Sequence, residues 1–275
     1  MSAWFAALQR LLPQHELSRF VGALAKSEAP WIRKPFIHGF ARAYGVSLDE
    51  AVCQELDDFR CFNDFFTRAL RQDARPLARD PAAVLCPADG TVSQTGLIRD
   101  GQLLQAKGHR YSLRSLTSEA DRAFEGGTFA TVYLAPSDYH RVHLPADGTL
   151  LATTAIPGAL FSVNAQTETT VEGLFARNER LVCRFRTGHG QMLVVLVGAL
   201  IVASIETVWA GPESPYQSVT TTSYDDAFAR GAEIGRFVLG STVIVCFEPG
   251  RIELLPHIKA GATVRMGEAI GAFCD

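Results

Sequence analysis

The sequence predicts an α+β fold, in which N-terminal amphipathic helices precede a β-rich core of barrel-like or sandwich-like halves. Apolar residues recur at helical spacing near the start of the chain. From about residue 83, short β-branched or aromatic runs alternate with glycine turns. Hydrophobic residues make up 47% of the 275 residues and charged residues 20%, which is typical of a chain with a sizeable buried core. We therefore divide the chain into a helical region, residues 1–60, and a β-rich core, residues 61–275.

The first 44 residues are basic, aromatic and amphipathic. They hold six basic and two acidic residues, a charge of +4 in a chain whose net charge is −3. Apolar stripes run over Trp4–Leu12 and Leu17–Leu24 and continue from Trp31. Such stripes with basic neighbours are typical of helices in a membrane interface, but also of helices that pack on the protein's own core. We expect residues 1–60 to associate with an anionic membrane, and the negative net charge argues against a nucleic-acid partner.

Three further segments predict local structure. Ser47-Leu-Asp-Glu50 is typical of a capping box and predicts a helix that continues to Phe59. Met192–Ile205 has 14 residues without a charge, which is too short for a membrane span and predicts one or two buried strands. Val238–Phe247 is a strand-like apolar run.

The chain contains a short sequence repeat and six cysteines. Pro87-Ala-Asp-Gly90 recurs as Pro145-Ala-Asp-Gly148, which predicts two tight turns that each lead into a strand. The six cysteines are scattered and form no C-x-x-C pair, so we expect reduced, mostly structural thiols in a cytosolic compartment. Charges and Pro13 interrupt the start of the chain, so no signal peptide is expected.

Three short segments could carry chemistry. Gly240-Ser241 is the chain's only Gly-Ser step, and a serine hydroxyl can attack the preceding carbonyl where glycine lets the backbone bend. His140 and His143 could bind a metal, act in catalysis or be structural, but no nearby residue completes a ligand set, so no metal site is predicted. Asp89 could brace its turn or orient a histidine, and the residues alone do not distinguish it from Asp147 in the second repeat.

An ordered series of segments, from about residue 60 to the C-terminus, resembles one known family. The segments are Phe65–Arg68, Pro87–Thr91, Leu134–His143, Gly158–Asn164, Leu174–Arg180, Ser204–Gly211 and Gly235–Thr242. Together they are similar to the bacterial phosphatidylserine decarboxylase family. A single motif of this kind is weak, whereas the ordered set is specific.

The resemblance implies that the chain makes its own cofactor. Leu239-Gly-Ser-Thr242 matches the family's self-cleavage motif, so the chain would be cut between Gly240 and Ser241. The products would be a large β chain, residues 1–240, and a small α chain, residues 241–275, held together as a heterodimer. Ser241 would become a covalent pyruvoyl group, which supplies an electron sink that ordinary side chains lack. A dimer of such heterodimers is compatible with the sequence.

The resemblance also implies the activity and the roles of the site residues. Asp89 and His143 match the charge-relay partners of Ser241, and His140 matches a neighbouring histidine that would position the substrate. The implied substrate is membrane phosphatidylserine, which would form an imine on the pyruvoyl group, lose CO2 and leave as phosphatidylethanolamine. His143 is then the expected proton donor. The implied location is the cytoplasmic side of the cell membrane, as a peripheral protein.

Three alternatives remain open from the residues. A lipoyl or biotinyl carrier domain would suit the repeated succession of turns and strands. Such a domain needs a lysine at a hairpin tip, and Lys259 lies in no recognisable motif of that kind. A pyruvoyl decarboxylase of a soluble amino acid would not need the N-terminal stripes. A Ser–His–Asp hydrolase with an intact chain is disfavoured because no G-x-S-x-G elbow is present.

Overall fold

A computed structural model describes residues 14–199, 204–209, 211, 215–238 and 242–274. It confirms the predicted α+β class, with helices near the N-terminus and β-sheets in the rest of the chain. The described α-helices are α1 (Gln14–Ala25), α2 (Pro30–Tyr44), α3 (Phe62–Phe66), α4 (Leu113–Thr117), α5 (Ala165–Glu168) and α6 (Leu174–Arg177). Within these residues, no helix combines the length and the apolar character needed to cross a membrane. The stripe Trp4–Leu12 lies outside the described residues.

Helix α2 covers the core with one face and leaves the other exposed. It begins at Pro30, which needs no amide donor there, and ends at Gly45 in a left-handed conformation with φ of 63°. Ile37 is fully buried, and the ring of Phe36 stacks on Phe62 of α3 with centroids 4.1 Å apart. On the same helix, Trp31 is 77% exposed. Packing on the protein's own core therefore accounts for one face of α2, and membrane association stays a prediction for the exposed face.

The helix predicted from Ser47 to Phe59 is wrong. The Ser47 hydroxyl accepts from the amide of Asp49, two residues ahead, at 3.0 Å. This bond closes a local turn and competes with helix formation. Only one 3₁₀ turn, Leu56–Asp58, forms in the predicted span, and Ala51 makes an isolated β-bridge outside the strands.

The largest sheet has eight strands in the order β11-β7-β8-β9-β13-β5-β2-β15. Their bounds are β2 Gly90–Leu97, β5 Thr128–Tyr133, β7 Gly148–Ile156, β8 Arg180–Thr187, β9 Gly190–Val197, β11 Thr220–Phe228, β13 Thr242–Phe247 and β15 Thr263–Val264. All the neighbouring pairs are antiparallel. Central strands are apolar on both faces: in β9, Leu193 and Val195 join one buried cluster while Val194 and Leu196 join the other. The sheet is therefore the middle of a layered, sandwich-like core.

Three small sheets accompany the large one. One has the order β1-β16-β14 and another the order β10-β12-β6, while β3 and β4 form a hairpin. Their bounds are β1 Ala83–Leu85, β3 Gln102–Leu104, β4 Arg110–Ser112, β6 Arg141–His143, β10 Ser204–Thr207, β12 Glu233–Val238, β14 Ile252–Leu254 and β16 Ala269–Phe273. The uncharged run Met192–Ile205 contributes to two separate strands, β9 and β10, as predicted.

The run Val238–Phe247 is not one strand. Strand β12 ends at Val238 in a three-stranded sheet, and β13 begins at Thr242 in the eight-stranded sheet. Only Val238 of this run belongs to β12, which also contains Glu233 and Arg236, so the apolar run by itself does not reveal the change of sheet. Gly240 and Ser241 belong to the intervening stretch, which lies outside the described residues.

The Pro-Ala-Asp-Gly repeat corresponds to a repeat in the fold. The amide of Leu85 donates to the carbonyl of Pro145 at 2.9 Å, and the amide of His143 donates to that of Pro87 at 2.8 Å. The two segments thus bond each other reciprocally. The first turn leads into β2 and the second into β7, as the repeat predicted.

The aspartates of the two turns make matching backbone contacts. Oδ1 of Asp89 accepts from the amide of Met266 at 2.9 Å, and Oδ1 of Asp147 accepts from the amide of Arg230 at 2.7 Å. The donor residues, Met266 and Arg230, are each followed by a glycine and then by a strand, β16 or β12. Each of these strands is the central one of a three-stranded sheet. Both aspartates therefore brace equivalent junctions between a turn and a strand.

Candidate active site

Asp89 lies at the entrance to β2 and is 7% exposed. Its Oδ1 accepts from Nε of Arg75 at 2.9 Å, and its Oδ2 contacts Nη2 of the same guanidinium. Arg75 also pairs with Glu50 at 2.9 Å. These two carboxylates raise the pKa of Arg75 although its partial burial lowers it, so Arg75 is charged and forms an ion pair with Asp89.

Gly90 fixes how deeply Asp89 sits. A Cβ at this position would lie 2.1 Å from the carbonyl oxygen of Tyr133 on β5, closer than any side chain allows. Glycine is therefore required where β2 approaches β5. The Asp-Gly pair, which the sequence predicted as a turn, also places the carboxylate against the sheet.

His143, at the end of β6, has hydrogen-bond partners on both ring nitrogens. Its Nδ1 lies 2.8 Å from the carbonyl of Gly231, which can only accept, so Nδ1 carries the proton. Its Nε2 lies 3.0 Å from the Tyr139 hydroxyl and accepts from it. Burial lowers the pKa of His143 below its usual 6.5. His143 is therefore a neutral imidazole whose basic lone pair is on Nε2.

His140 has the same tautomer in a drier position. It is fully buried, and its Nδ1 donates to the carbonyl of Asp138 at 2.8 Å. Its ring lies against that of Phe66, with centroids 3.9 Å apart. Burial lowers the pKa of His140 to about 3, and its Nε2 has no hydrogen-bond partner among the described residues. A buried acceptor without a donor is rare in folded proteins and marks a place where chemistry or a ligand can supply one.

The histidines lie beside one end of the stretch that contains Gly240 and Ser241. The amide of Phe237, near the end of β12, donates to the carbonyl of His140 at 3.0 Å. On the other side, Thr242 pairs with Tyr133 of β5, and Tyr133 pairs with Thr91, two residues after Asp89. The stretch between Val238 and Thr242 can span at most about 14 Å. Its two ends are thus next to the segments that carry the histidines and the aspartate.

The predicted charge relay is not assembled as a chain of direct hydrogen bonds. Both nitrogens of His143 contact groups other than Asp89, and the Asp89 carboxylate contacts Arg75 and the amide of Met266. Burial lowers the pKa of His143, the contact with Gly231 and the charge of Glu233 oppose that shift, and the charge of Asp89 raises this pKa by less than either. The role of Asp89 as a relay partner stays a prediction.

Tyr139 and Arg75 contribute to this region, although sequence reasoning did not single them out. Tyr139 stands in the Asp138–His143 segment, and the only signal for it in the sequence is that it precedes His143 by four residues. Arg75 precedes Asp89 by 14 residues in an arginine-rich stretch, and nothing in the pattern indicates which arginine pairs with it. Asp147 is exposed and braces only the backbone of Arg230.

An open cavity of about 570 Å³ adjoins Asp89. This volume is within the range of about 300–1,000 Å³ found for small-molecule sites. Asp89 and Arg75 line one part of it, while Arg68, Asp138 and Tyr139 line another. The loop that follows α2, from Gly45 to Glu50, also contributes to the wall.

Similarity to known proteins identifies the family of this chain. The family model described as phosphatidylserine decarboxylase matches residues 62–272, and a second model, described as PSD, matches residues 4–45. The chain is 51% identical to the phosphatidylserine decarboxylase proenzyme of Methylococcus capsulatus, over 98% of this chain and 96% of that one. It is 52% identical to the proenzymes of the same name from Alcanivorax borkumensis and Pseudomonas aeruginosa, covering 98% and 97% of this chain and 96% of each relative. The chain belongs to the phosphatidylserine decarboxylase family.

Proposed function

We propose that this chain is a proenzyme that cuts itself between Gly240 and Ser241 and then converts phosphatidylserine to phosphatidylethanolamine. The observation that carries the proposal is the pair of neutral histidines beside β12, each with its basic Nε2 free of a proton. Membership of a family whose relatives are named proenzymes supports the same reading.

Self-cleavage needs a base and a bent backbone. The Ser241 hydroxyl gives up its proton and attacks the carbonyl carbon of Gly240, so the peptide C–N bond breaks and an ester forms. Removal of the Cα proton of residue 241 then expels the Gly240 carboxylate and leaves dehydroalanine. Water converts this residue to a pyruvoyl group and releases ammonia. We assign the first proton to Nε2 of His143 or His140, because both atoms are unprotonated in the neutral rings.

The surroundings fit a pyruvoyl group at position 241. When formed, the group supplies a carbonyl that accepts the electron pair left behind as CO2 departs. Nε2 of His140 and Oγ1 of Thr242 are buried polar atoms without partners among the described residues, so the environment retains hydrogen-bonding capacity. Strand β13, which begins at Thr242, is buried throughout, so the group would be attached to a rigid element of the sheet.

In turnover, the histidines handle protons. The substrate ammonium must lose a proton before its nitrogen can react, and neutral His143 can accept it at Nε2. The same proton can return to the substrate carbon after CO2 has left, which makes His143 base and acid in succession. Tyr139 donates to this nitrogen and would orient the ring until the substrate replaces its hydroxyl. His140, fully buried beside Phe66, is better suited to positioning the substrate.

The membrane is the proposed partner of the helical region. Trp31 on α2 and Phe20 on α1 are 77% and 64% exposed, which suits insertion into the headgroup layer. Two basic residues have other tasks: Lys34 pairs with Asp57 at 2.9 Å, and Arg33 donates to the carbonyl of Asp57. We propose peripheral attachment on the cytoplasmic side, with residues 1–60 at the interface and residues 61–275 as the catalytic core.

Intact mass of the purified protein tests the proposal first. We expect two chains, residues 1–240 and 241–275, with the small chain blocked to N-terminal sequencing, and one uncut inactive chain for Ser241→Ala. The cut protein should release CO2 from phosphatidylserine. A single full-length active chain would contradict the pyruvoyl mechanism and favour a hydrolase. Release of CO2 from free serine at the same rate as from phosphatidylserine vesicles would favour a decarboxylase of soluble amino acids.

A further inference from the structure

The cavity beside Asp89 contains a buried arginine with unused hydrogen-bond donors. Arg68 follows α3 and is 6% exposed. Its Nη2 donates to the carbonyls of Ser137 at 2.8 Å and Asp138 at 3.3 Å. Its Nε and Nη1 are buried and have no partner among the described residues. A guanidinium carries five N–H donors, and the three on Nε and Nη1 of Arg68 lack a hydrogen-bond partner among the described residues.

Nearby charges do not neutralise Arg68 by direct contact. The two other arginines in the cavity wall are paired, Arg75 with Asp89 and Arg265 with Glu50, and Arg265 is 57% exposed. The carboxylate of Asp138 accepts from the amide of Ala135 at 2.7 Å, and within the described part of the chain it forms no ion pair with Arg68. Burial lowers the pKa of Arg68, which reflects the loss of water around its charge. A desolvated cation with free donors costs stability unless an anion completes its contacts.

We propose that Arg68 binds the phosphodiester of the lipid head group. This inference rests on the proposed function, because it assigns a contact to that substrate. The head group carries two anions, a phosphodiester and a carboxylate. A guanidinium on the carboxylate would stabilise the charge that must disappear as CO2 leaves, and so would raise the barrier. The phosphodiester keeps its charge throughout the reaction, and its oxygens match the fork of the guanidinium.

The position of Arg68 suits such an anchor. It is held by the backbone of Ser137 and Asp138, the segment that leads directly into His140 and His143. Arg68 is therefore hydrogen-bonded to the same segment that carries the proton-transfer groups. An anchor fixed in this way sets the distance between the head group and the histidines.

Kinetics of Arg68→Gln test the proposal. Glutamine keeps an N–H donor for the carbonyls of Ser137 and Asp138, and the uncut protein contains no phosphodiester, so we expect this variant to self-cleave at the normal rate. In detergent micelles, its KM for phosphatidylserine should rise about 10- to 100-fold with kcat changed less than about threefold, because the lost contact is equal in ground and transition states. Arg68→Lys should recover part of the loss, since it keeps the charge without the fork. Arg99→Gln, which removes an exposed arginine outside the cavity wall, is the matched control and should behave as the parent.

A binding measurement separates this proposal from the proposed function. Calorimetry on uncut Ser241→Ala protein should detect glycerophosphoserine but not L-serine, and adding Arg68→Gln should abolish the signal. This readout does not depend on cleavage or decarboxylation. The proposal is overturned if glycerophosphoserine fails to bind, or binds equally well without Arg68. It is also overturned if Arg68→Gln blocks cleavage or lowers kcat at unchanged KM, since Arg68 would then serve the fold or the chemistry.

Discussion

At the scale of single residues, Asp89 has two separable tasks. It braces the amide of Met266, as Asp147 braces that of Arg230, and of the two aspartates it alone pairs with a half-buried arginine, Arg75. Asparagine keeps an oxygen for the backbone contact but removes the charge. Substitution by asparagine at the two positions therefore tests the charge and preserves the brace.

We expect Asp89→Asn to accumulate uncut precursor. The loss of one member of a Ser–His–Asp arrangement lowers a rate by about 10⁴-fold, and this substitution would also leave Arg75 with Glu50 as its only carboxylate. Asp147→Asn should cut at nearly the normal rate and cost at most about 1 kcal/mol of stability. The fraction cut is followed on denaturing gels, with thermal unfolding of both variants as a check on folding. If Asp147→Asn blocks the cut and Asp89→Asn does not, the assignment of Asp89 is wrong.

Buried His140 should make stability depend on pH. Its pKa is 6.5 when unfolded and about 3 when folded, so the unfolded state binds a proton that the folded state excludes. The associated stability is complete above pH 6.5 and is lost as pH falls towards the folded pKa. At 1.36 kcal/mol per pH unit, about 3 kcal/mol should be lost by pH 4.

Urea unfolding measures this effect in uncut Ser241→Ala protein, with and without His140→Gln. Glutamine does not titrate. The unfolding free energy of the protein with His140, minus that of the His140→Gln variant, should therefore fall between pH 7 and pH 4. Other groups titrate in both proteins and cancel in the difference. A difference that stays constant over this range would mean that His140 is not excluded from protonation by the fold.

At the scale of elements, α2 shows why amphipathic pattern alone left two interpretations open. Its apolar residues occupy more than one face: Ile37 and Phe36 pack on the core, and Trp31 points to solvent. Periodicity identifies a helix with an apolar stripe but does not tell which surface covers each part of it. Predicting that Trp31 is exposed requires knowledge of which residues pack against α2.

We expect the exposed aromatics of α1 and α2 to hold the protein on anionic vesicles. Phe20→Asp together with Trp31→Asp should move the protein from the pellet to the supernatant in sedimentation, because these residues contribute apolar area to the interface. Val219→Asp, at a residue 55% exposed next to β11, is the control and should sediment as the parent. Unchanged sedimentation of the double variant would assign these aromatics to another contact.

At the scale of the whole molecule, the sequence predicts the fold class and the alternation of turns and strands. It does not predict which distant segments pack against each other. The repeated Pro-Ala-Asp-Gly turns, the β-rich core and the two strands of Met192–Ile205 follow from local pattern. The break of Val238–Phe247 between two sheets does not, because an apolar run carries no information about which strands its residues pair with. The Arg75–Asp89 pair and the free donors of Arg68 depend on long-range packing, which a single sequence does not encode in its spacing.

The small chain should stay bound to the large one after cleavage. Residues 242–274 supply β13, which lies between β5 and β9, and β16, which lies between β1 and β14. Every residue of β13 is buried. We expect both chains to co-elute in size-exclusion chromatography with the volume of uncut Ser241→Ala protein, and to separate only in denaturant. Separation without denaturant would show that these ladders do not hold the mature protein together.

Because a strand of the small chain lies between two strands of the large chain, the order of folding and cleavage matters. The reaction that would create the pyruvoyl group consumes the peptide bond before Ser241, so folding must come first and happens with the chain in one piece. After the cut, β13 would have to find its place between β5 and β9 by a bimolecular encounter. Recovery from unfolding would then be slow and dependent on concentration, unlike that of the precursor. The lifetime of the mature protein would be governed by its unfolding rate, a kinetic stability, and the equilibrium stability of the precursor would not measure it.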